Sequence, residues 1–303
     1  MKIKIKSLAS ITLFSLFVTS IVFSSCDNEN RMDGEGSVSL NITDAPIDQE
    51  GVTGVYITFT GIEYQSNGDS WNLVEDFEGP VTINLLELQN GKTSLLGNFN
   101  AGAGNYTGLR FLLDAAEMSN SPIGNSGCYI TFSDGSEVPL FVPSGAKTGY
   151  KAVGNFTVPL NGEVEVTADF NLRKSVVEAG MSGKYLLKPT IRIVVNNEAG
   201  EIKGSLINPG TELDYVVYIY EKGTYNDTES ALQPDQSPSF PNAISNTMVD
   251  ANNKYILAFL APGAYELIVV SVNEGGDAEV VLGPTEEVVV ESRKATLLDL
   301  EIK

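Results

Sequence analysis

The stretch Val38-Ser39-Leu40-Asn41-Ile42-Thr43 alternates strictly between apolar and polar side chains. Because successive side chains of a strand point to opposite faces, this period of two is typical of a strand with one buried face. The same alternation returns in residues Glu163–Phe170, which read EVEVTADF. Strand patterns of this kind recur along most of the chain after residue 37, so the sequence predicts an all-β fold.

Turn signals separate the predicted strands. Asn67-Gly68 is a strong hairpin signal after the long strand Val52–Tyr64, in which Gly61 marks a predicted bulge. Asn161-Gly162 predicts a second hairpin, joining residues 155–158 to the strand 163–170. Short strands at regular spacing with such turns favour Greek-key β-sandwiches of the immunoglobulin-like kind.

The chain divides into two predicted sandwiches, residues 38–195 and 200–303, joined by a short polar linker. The second segment is close to the commonest domain size. Residues 221–248 form a long polar stretch with three prolines, which we expect to be disordered rather than functional. Asn171–Glu178 is expected to be a short helix.

The N-terminal residues predict where the protein resides. Residues 1–25 combine three lysines, an apolar run and a small Ser24-Ser25 pair, which is typical of a secretory signal peptide. Cys26 follows at once, so the segment resembles a bacterial lipoprotein signal in which Cys26 carries acyl chains such as palmitate. The alternative is a transmembrane anchor over residues 8–25. We expect residues 26–37 to be a flexible tether, and the protein to be lipid-anchored in the outer membrane, facing the surface or the periplasm.

The charge of the chain excludes one class of partner. The signal segment holds three of the 19 basic residues and none of the 39 acidic ones, which leaves 16 against 39 and a net charge of −23. Such a surface repels phosphate backbones, so no nucleic-acid partner is expected, and contact with the membrane is expected through the lipid anchor. Asp44 and Asp48 form an acidic loop pair that is a candidate calcium site. The alternative is that they cap the first strand in an Asx-turn.

The chain contains no histidine. This excludes catalysis by Ser-His-Asp or Cys-His groups and zinc sites ligated by histidine. Cys128 lies in a strand-like run and is predicted to be a buried core thiol. Paired carboxylates, as in glycan hydrolases, are the catalytic chemistry that remains. No cofactor is expected, apart from the calcium candidate.

Aromatic residues at two turns and one hairpin offer candidate ligand platforms. Tyr106 and Tyr265 each follow a glycine turn, and we expect each ring to pack on a sandwich edge with its hydroxyl hydrated; an aromatic ligand platform is the alternative. Trp71, the one tryptophan, either stacks on a sugar or covers the sheet beside its hairpin turn.

The second sandwich resembles the carboxypeptidase-regulatory-like (transthyretin-like) family. The residues that carry this resemblance are Gly200–Gly204 (GEIKG), Val249–Tyr255 (VDANNKY) and Leu260–Leu267 (LAPGAYEL). The resemblance implies a seven-stranded Greek-key sandwich that acts as a spacer or interaction module, and it implies no chemistry.

The first sandwich, over about residues 38–195, resembles a lipoprotein domain of unknown function, the family numbered 4382. The residues that carry this resemblance are Ser39–Pro46, Trp71–Leu73, Asn84–Leu88, Gly104–Arg110 and Gly183–Arg192. That family has no assigned reaction. Together these observations predict a non-catalytic binding or adhesion module for a glycan or protein ligand; the alternative is a glycan hydrolase with two facing carboxylates.

Overall fold

The computed structural model describes residues 34–45, 51–68, 70–115, 127–142, 149–179, 182–231, 238–273 and 278–302. Nearly all the regular structure in these ranges is strand, and the strands form sandwiches, so the predicted fold class is confirmed. Strands are numbered β1–β23 in chain order and are given below sheet by sheet.

The first sandwich has a four-stranded sheet in the order β14-β11-β1-β5. The alternation of the opening stretch turns Val38, Leu40 and Ile42 inward, and all three are fully buried. β1 runs parallel to β11 and antiparallel to β5, so it is hydrogen-bonded along both edges. The strands are β1 (Glu35–Ala45), β5 (Ser94–Gly102), β11 (Glu163–Asn171) and β14 (Ile191–Val195).

The facing sheet has ten strands, with β6, β2, β7 and β8 in its middle. Its inner face meets the four-stranded sheet in one continuous apolar core, in which the rings of Phe59, Phe111 and Phe170 touch at centroid distances of 5.6–5.9 Å. The strands are β2 (Val52–Ser66), β3 (Asn72–Leu73), β4 (Val81–Asn84), β6 (Gly104–Leu113), β7 (Tyr129–Phe132), β8 (Glu137–Phe141), β9 (Tyr150–Ala152), β10 (Phe156–Val158), β12 (Val176–Glu178) and β13 (Tyr185–Leu187).

Several local predictions for the first sandwich are confirmed. Asn67 and Gly68 both have positive φ and reverse the chain from β2 into β3. The pairing of β2 with β6 shifts register at Gly61, as expected of a bulge. The predicted helix over residues 171–178 is shorter than expected: it spans Leu172–Ser175, and β12 follows directly.

Two predictions are wrong. The tether was expected to extend to residue 37, but β1 already begins at Glu35. A Cβ atom on Gly36 would lie 2.2 Å from the carbonyl oxygen of Pro159, so this glycine allows close backbone packing rather than flexibility. The Asn161-Gly162 turn is not a hairpin, because β10 belongs to the ten-stranded sheet and β11 to the four-stranded sheet. Residues 1–33 lie outside the described ranges.

The second sandwich packs two smaller sheets. In the five-stranded sheet, the interior residues of β16 and β19 are buried on both faces. The four-stranded sheet comprises β15 (Gly200–Ile207), β18 (Lys254–Leu260), β22 (Ala295–Leu297) and β23 (Leu300–Glu301). The five-stranded sheet comprises β16 (Asp214–Glu221), β17 (Ser245–Met248), β19 (Gly263–Val272), β20 (Ala278–Leu282) and β21 (Val288–Val290).

The outer face of the five-stranded sheet is covered by the segment that we expected to be disordered. Phe240 and Ala243 are buried against Tyr218, Tyr220 and Ile268 in a second apolar cluster. The segment also supplies a 3₁₀ turn, Asp227–Ser230, and the strand β17. The expectation is therefore wrong for residues 221–231 and 238–248, while residues 232–237 lie outside the described ranges.

The two tyrosine turns share one geometry, and in both the ring packs on the sandwich edge while the hydroxyl also bonds to the protein. Tyr106 and Tyr265 are 4% and 5% exposed. The Tyr106 hydroxyl donates to the carbonyl of Gly102, and the Tyr265 hydroxyl to that of Ala261, both at 2.7 Å. In both turns the carbonyl therefore supplies a protein acceptor for a hydroxyl on an otherwise buried ring.

Candidate functional site

Trp71 lies over the outer face of the ten-stranded sheet, where the Asn67-Gly68 turn folds it back. The indole is half-buried and rests beside Gly108 of β6, where a Cβ atom would come within 3.1 Å of the ring carbon Cη2. The absent side chain at residue 108 therefore makes room for the indole. Both interpretations of Trp71 remain open here: the ring covers the sheet, and part of it stays in contact with solvent.

Two cations flank the Trp71 ring. The guanidinium carbon of Arg110 lies 4.6 Å from the ring centroid and the Lys151 ammonium nitrogen lies 5.6 Å away. Arg110 also forms an ion pair with Glu63, its register partner on β2. Cation–π contacts of this kind hold an aromatic ring in one orientation. We call Trp71, Arg110 and Lys151 the outer patch.

A cavity of about 340 Å³ lies beside the outer patch, where the two sandwiches meet, and we call it the junction cleft. Lys151 belongs to both the patch and the cleft. Three basic side chains, Lys151, Lys174 and Arg192, share the lining with one carboxylate. The lining residues are Lys151, Val153, Asp169, Asn171, Lys174, Pro189, Thr190, Ile191, Arg192 and, from the second sandwich, Ile244.

The carboxylate of the cleft is already paired. Asp169 and Arg192 are register partners on β11 and β14, and Arg192 Nε donates to Asp169 Oδ2 at 2.7 Å. Burial raises the pKa of Asp169, and the Arg192 charge opposes that shift only in part. One positive and one negative group of the cleft are therefore engaged with each other.

Lys174 is in a different situation. Burial, reinforced by the positive charge of the adjacent Arg173, lowers the pKa of Lys174 to about 8, although Glu229 pulls the other way. Its ammonium group has no carboxylate within ion-pair distance in the described part of the chain. Placing a cation where it is partly removed from water and has no close counter-ion costs folding free energy, and such groups are more frequent at functional sites than elsewhere.

Arg173 holds the two sandwiches together beside the cleft. Its side chain is only 3% exposed and enters the second sandwich, where it donates to the backbone carbonyls of Ser239 and of Phe240, the latter at 3.0 Å. The guanidinium also lies over the Tyr218 ring, 5.1 Å from its centroid. We call this arrangement the latch.

The short helix that carries Arg173 and Lys174 is fixed by polar contacts at its start. Asn171 Oδ1 accepts from the Lys174 N–H at 3.1 Å, and Asp44 Oδ1 accepts from the Leu172 N–H at 3.2 Å. Ser175 Oγ donates to the Asn171 carbonyl at 2.7 Å. Because one rigid turn carries both basic residues, the latch also fixes Lys174 at the edge of the cleft.

The predicted calcium pair is only half described. Asp48 lies outside the described residues, and Asp44 is buried with one oxygen on the Leu172 N–H. In the ranges that the structure describes, no group of three or more Cys, Asp or Glu side chains is arranged to hold a metal ion. Calcium binding at Asp44 and Asp48 stays a prediction.

Asp44 and Asp169 are the two carboxylates next to the candidate calcium position and the cleft. Asp44 and Asp169 line a common cavity of about 20 Å³, which has room for about one water molecule and not for a sugar ring. Cys128 is fully buried, as predicted, and burial raises the pKa of its thiol to about 12. Neither group is placed to react with a polymer in solvent.

Sequence reasoning singled out Trp71 but missed Lys151, Arg173 and Lys174. A signal was present, since Arg173-Lys174 is one of only two places after residue 25 where two basic residues are adjacent. The predicted lipidation site, Cys26, lies outside the described residues. Within those residues, no helix has the length and hydropathy to cross a membrane.

Comparison with known proteins assigns a family and little else. The model of a domain of unknown function (DUF4382) matches residues 35–189. No curated protein sequence matches the chain. The resemblance of the second sandwich to the carboxypeptidase-regulatory-like family gains no support from these comparisons and stays a prediction.

Solved structures match at low similarity. Shaft pilin spaA from Lactobacillus rhamnosus GG is 13% identical, with 89% of this chain and 98% of that chain covered and a TM-score of 0.23. The minor pilin GBS52 from Streptococcus agalactiae is 15% identical, with coverages of 89% and 95% and a TM-score of 0.21. The Bacillus anthracis TIE protein is 10% identical, with 88% of this chain covered and a TM-score of 0.22, and this chain spans only 34% of its length. At TM-scores this low, the matches do not indicate what the chain binds.

Proposed function

The chain belongs to the DUF4382 family, whose domain has no known function, and from this premise we propose that it is a non-catalytic binding module for a glycan. In this proposal the protein is a lipoprotein held at the outer membrane through Cys26, facing the surface or the periplasm. The module presents the outer patch to its ligand. A protein ligand at the same patch is the alternative.

The observation that carries the proposal is the half-buried Trp71 ring on an exposed sheet face. An indole presents a large apolar face together with a polar N–H, which suits the mixed surface of a sugar ring. Arg110 and Lys151 hold the ring in place, so little conformational freedom is lost when a ligand binds to it. A preorganised aromatic ring of this kind is a common anchor of binding sites.

The carboxylates at the outer patch and the junction cleft favour binding over hydrolysis at these two places. A glycan hydrolase needs two carboxyl groups about 5–9.5 Å apart across a space that admits the sugar. Asp169 is paired with Arg192, and the cavity that it shares with Asp44 is too small for a sugar. The outer patch itself contains one carboxylate neighbour, Glu63, which is paired with Arg110.

The binding test is isothermal calorimetry of the full chain in detergent against a panel of soluble glycans, with product analysis for turnover. We expect binding without turnover, and a loss of tenfold or more in Trp71→Ala, equivalent to about 1.4 kcal/mol. Leu73→Ala is the matched control, since Leu73 is 53% exposed two residues away and should leave the affinity unchanged. Equal affinity of wild type and Trp71→Ala, or shortened glycan products, would overturn the proposal.

The anchor is tested separately in cells. Wild-type protein labelled with a fatty-acid analogue should incorporate the label, and Cys26→Ala should not, because the acylated thiol is missing. Undiminished label in the variant would contradict anchoring at Cys26. Protease treatment of intact cells then distinguishes the surface from the periplasmic face.

A further inference from the structure

The junction cleft concentrates positive charge on a strongly acidic protein. Only 16 basic residues follow residue 25, against 39 acidic ones. Three of those basic residues line this one cavity, with Asp169 as the single carboxylate among its lining residues. Because the chain as a whole is strongly acidic, a local cluster of positive charge requires a specific explanation.

Only some of these positive groups form ion pairs within the described part of the protein. Arg192 is paired with Asp169, and the neighbouring Arg110 is paired with Glu63. In the described ranges, Lys151 and Lys174 have no carboxylate within ion-pair distance. Two ammonium groups therefore remain available at the cleft for a ligand that carries negative charge.

Lys174 is also kept at a cost to the folded state. The backbone holds it next to Arg173 on one short helix, where its ammonium group is partly removed from water. An apolar residue at this position would avoid that desolvation. Charged groups in unfavourable surroundings that also line a cavity are enriched at binding sites.

The cleft is continuous with the proposed glycan site. Lys151 lines the cleft, and its ammonium nitrogen lies 5.6 Å from the Trp71 ring centroid. A ligand unit in the cleft and a neighbouring unit on the indole would therefore both meet Lys151. A cavity of about 340 Å³ is at the small end of the range for ligand pockets, about 300–1,000 Å³.

We propose that the junction cleft is a subsite for an anionic sugar residue of the glycan that binds the outer patch, with Lys151 and Lys174 contacting its carboxylate or sulfate group. This inference rests on the proposed function and adds the chemical class of the ligand. The two ammonium groups supply the charge-assisted hydrogen bonds, and Trp71 supplies the apolar contact with the next unit.

The test uses pairs of polymers that differ in charge. Calorimetry of the full chain in detergent compares polygalacturonate with its methyl-esterified form, which has the same backbone without free carboxylates, and dextran sulfate with dextran. We expect at least one anionic polymer to bind tenfold or more tightly than its neutral counterpart. The polymer that does so identifies carboxylate or sulfate as the group recognised.

The variants Lys151→Met and Lys174→Met locate the effect. Each should lower the affinity for the anionic polymer tenfold or more. Lys174→Met, which lies outside the outer patch, should leave weak binding of the neutral polymer unchanged. Lys254→Met is the matched control, because Lys254 is an exposed lysine of the second sandwich. Thermal melts of all variants verify that each one is folded.

The remaining outcomes overturn the inference in distinguishable ways. If the neutral polymers bind as tightly as the charged ones and both lysine variants bind normally, the cleft is no anion subsite, while Trp71-dependent glycan binding stands. If Lys174→Met also loses neutral binding, Lys174 supports the patch structurally and the subsite is excluded. If Trp71→Ala leaves every glycan affinity unchanged, the proposed function fails together with the inference.

Discussion

The two sandwiches contain the same tyrosine turn in different surroundings. Tyr106 and Tyr265 both donate to the carbonyl four residues earlier, at the same 2.7 Å distance. Tyr106 in addition stacks on Phe156 at 5.1 Å and meets Tyr64 edge-on at 5.4 Å, whereas Tyr265 has no ring contact within the described residues. The backbone hydrogen bond is therefore the constant part of this turn, and the aromatic packing is the part that differs.

The sandwiches also differ in whether the aromatic residues on their outer faces are covered by other parts of the protein. The first sandwich leaves Trp71 partly in solvent, between two cations. The second sandwich covers Tyr218 and Tyr220 with the segment around Phe240 and with Arg173 from its neighbour. The outer face of the second sandwich is therefore used for packing, while the first sandwich leaves an aromatic ring open to solvent, where we propose ligand contact.

The largest expected effect comes from removing the tyrosine rings. Tyr106→Ala should lower the free energy of unfolding by about 3–5 kcal/mol, as for other large aromatic residues in a core. Tyr265→Ala should lower the free energy of unfolding by a smaller amount. The two losses should differ by about 0.5–1.5 kcal/mol for each aromatic pair that Tyr106 forms and Tyr265 does not. Urea denaturation followed by circular dichroism measures both values.

The matched controls for these variants are Tyr106→Phe and Tyr265→Phe, which remove only the hydroxyl. Each should cost about 1 kcal/mol, because each breaks one similar hydrogen bond. Unequal losses in the two Phe variants, or equal losses in the two Ala variants, would break the comparison between the turns.

A second effect is expected at the latch. Arg173→Met should lower the free energy of unfolding by about 3 kcal/mol, since it removes two charge-assisted hydrogen bonds to buried carbonyls. Trp71 is the one tryptophan and lies in the first sandwich, so its fluorescence reports that sandwich alone. We expect the fluorescence and circular dichroism transitions to separate in the variant.

Arg173→Lys tests the geometry of the latch while keeping the charge, because a lysine cannot reproduce the planar fork of the guanidinium. It should destabilise the protein almost as much as Arg173→Met does. Coincident fluorescence and dichroism transitions in both variants would show that the sandwiches are held together without the latch.

The third expected effect is a pH dependence of stability that arises at Lys174. The folded state lowers the pKa of Lys174 from 10.5 to about 8, so between those pH values the unfolded chain binds more protons at this residue. The contribution of Lys174 to stability therefore increases as the pH rises from about 8 to 10.5. The charged groups that act on Lys174 are Arg173 and Glu229, and Asp169, Arg192 and Lys151 line the same cleft.

Comparing wild type with Lys174→Met across this range isolates the contribution. Lys174→Met should be the more stable protein at pH 7, and its advantage should shrink towards pH 10.5. The midpoint of Trp71 fluorescence in urea measures the effect. A constant difference at all pH values would mean that Lys174 keeps an ordinary pKa.

Sequence patterns predicted the strands well because period-two alternation is a local property. The patterns at residues 38–43 and 163–170 identified β1 and β11 and their buried faces. Alternation does not identify the neighbouring strand, and for this reason the Asn161-Gly162 turn was mistaken for a hairpin. β17 was missed because Ser245, Asn246 and Thr247 are polar yet buried, so the strand has no apolar alternation.

The candidate site was less predictable than the fold. Trp71 was identified by its residue type, whereas the cleft is formed by residues 151, 169, 174, 192 and 244, which only the tertiary fold brings together. Arg173 reads as a surface residue in the sequence, because nothing in its local pattern predicts that the second sandwich provides two carbonyl acceptors.

The early start of β1 has a mechanical consequence. In a chain held at Cys26, residues 26–34 separate the lipid from the first strand by at most about 30 Å. Tension from the anchor would enter β1 at Glu35. This strand is hydrogen-bonded on one edge to β11, from Ser37 to Ala45, and on the other edge to β5. Both ladders then carry the load together in shear, so the strand nearest the anchor resists extraction by rupture of many hydrogen bonds at once rather than one after another.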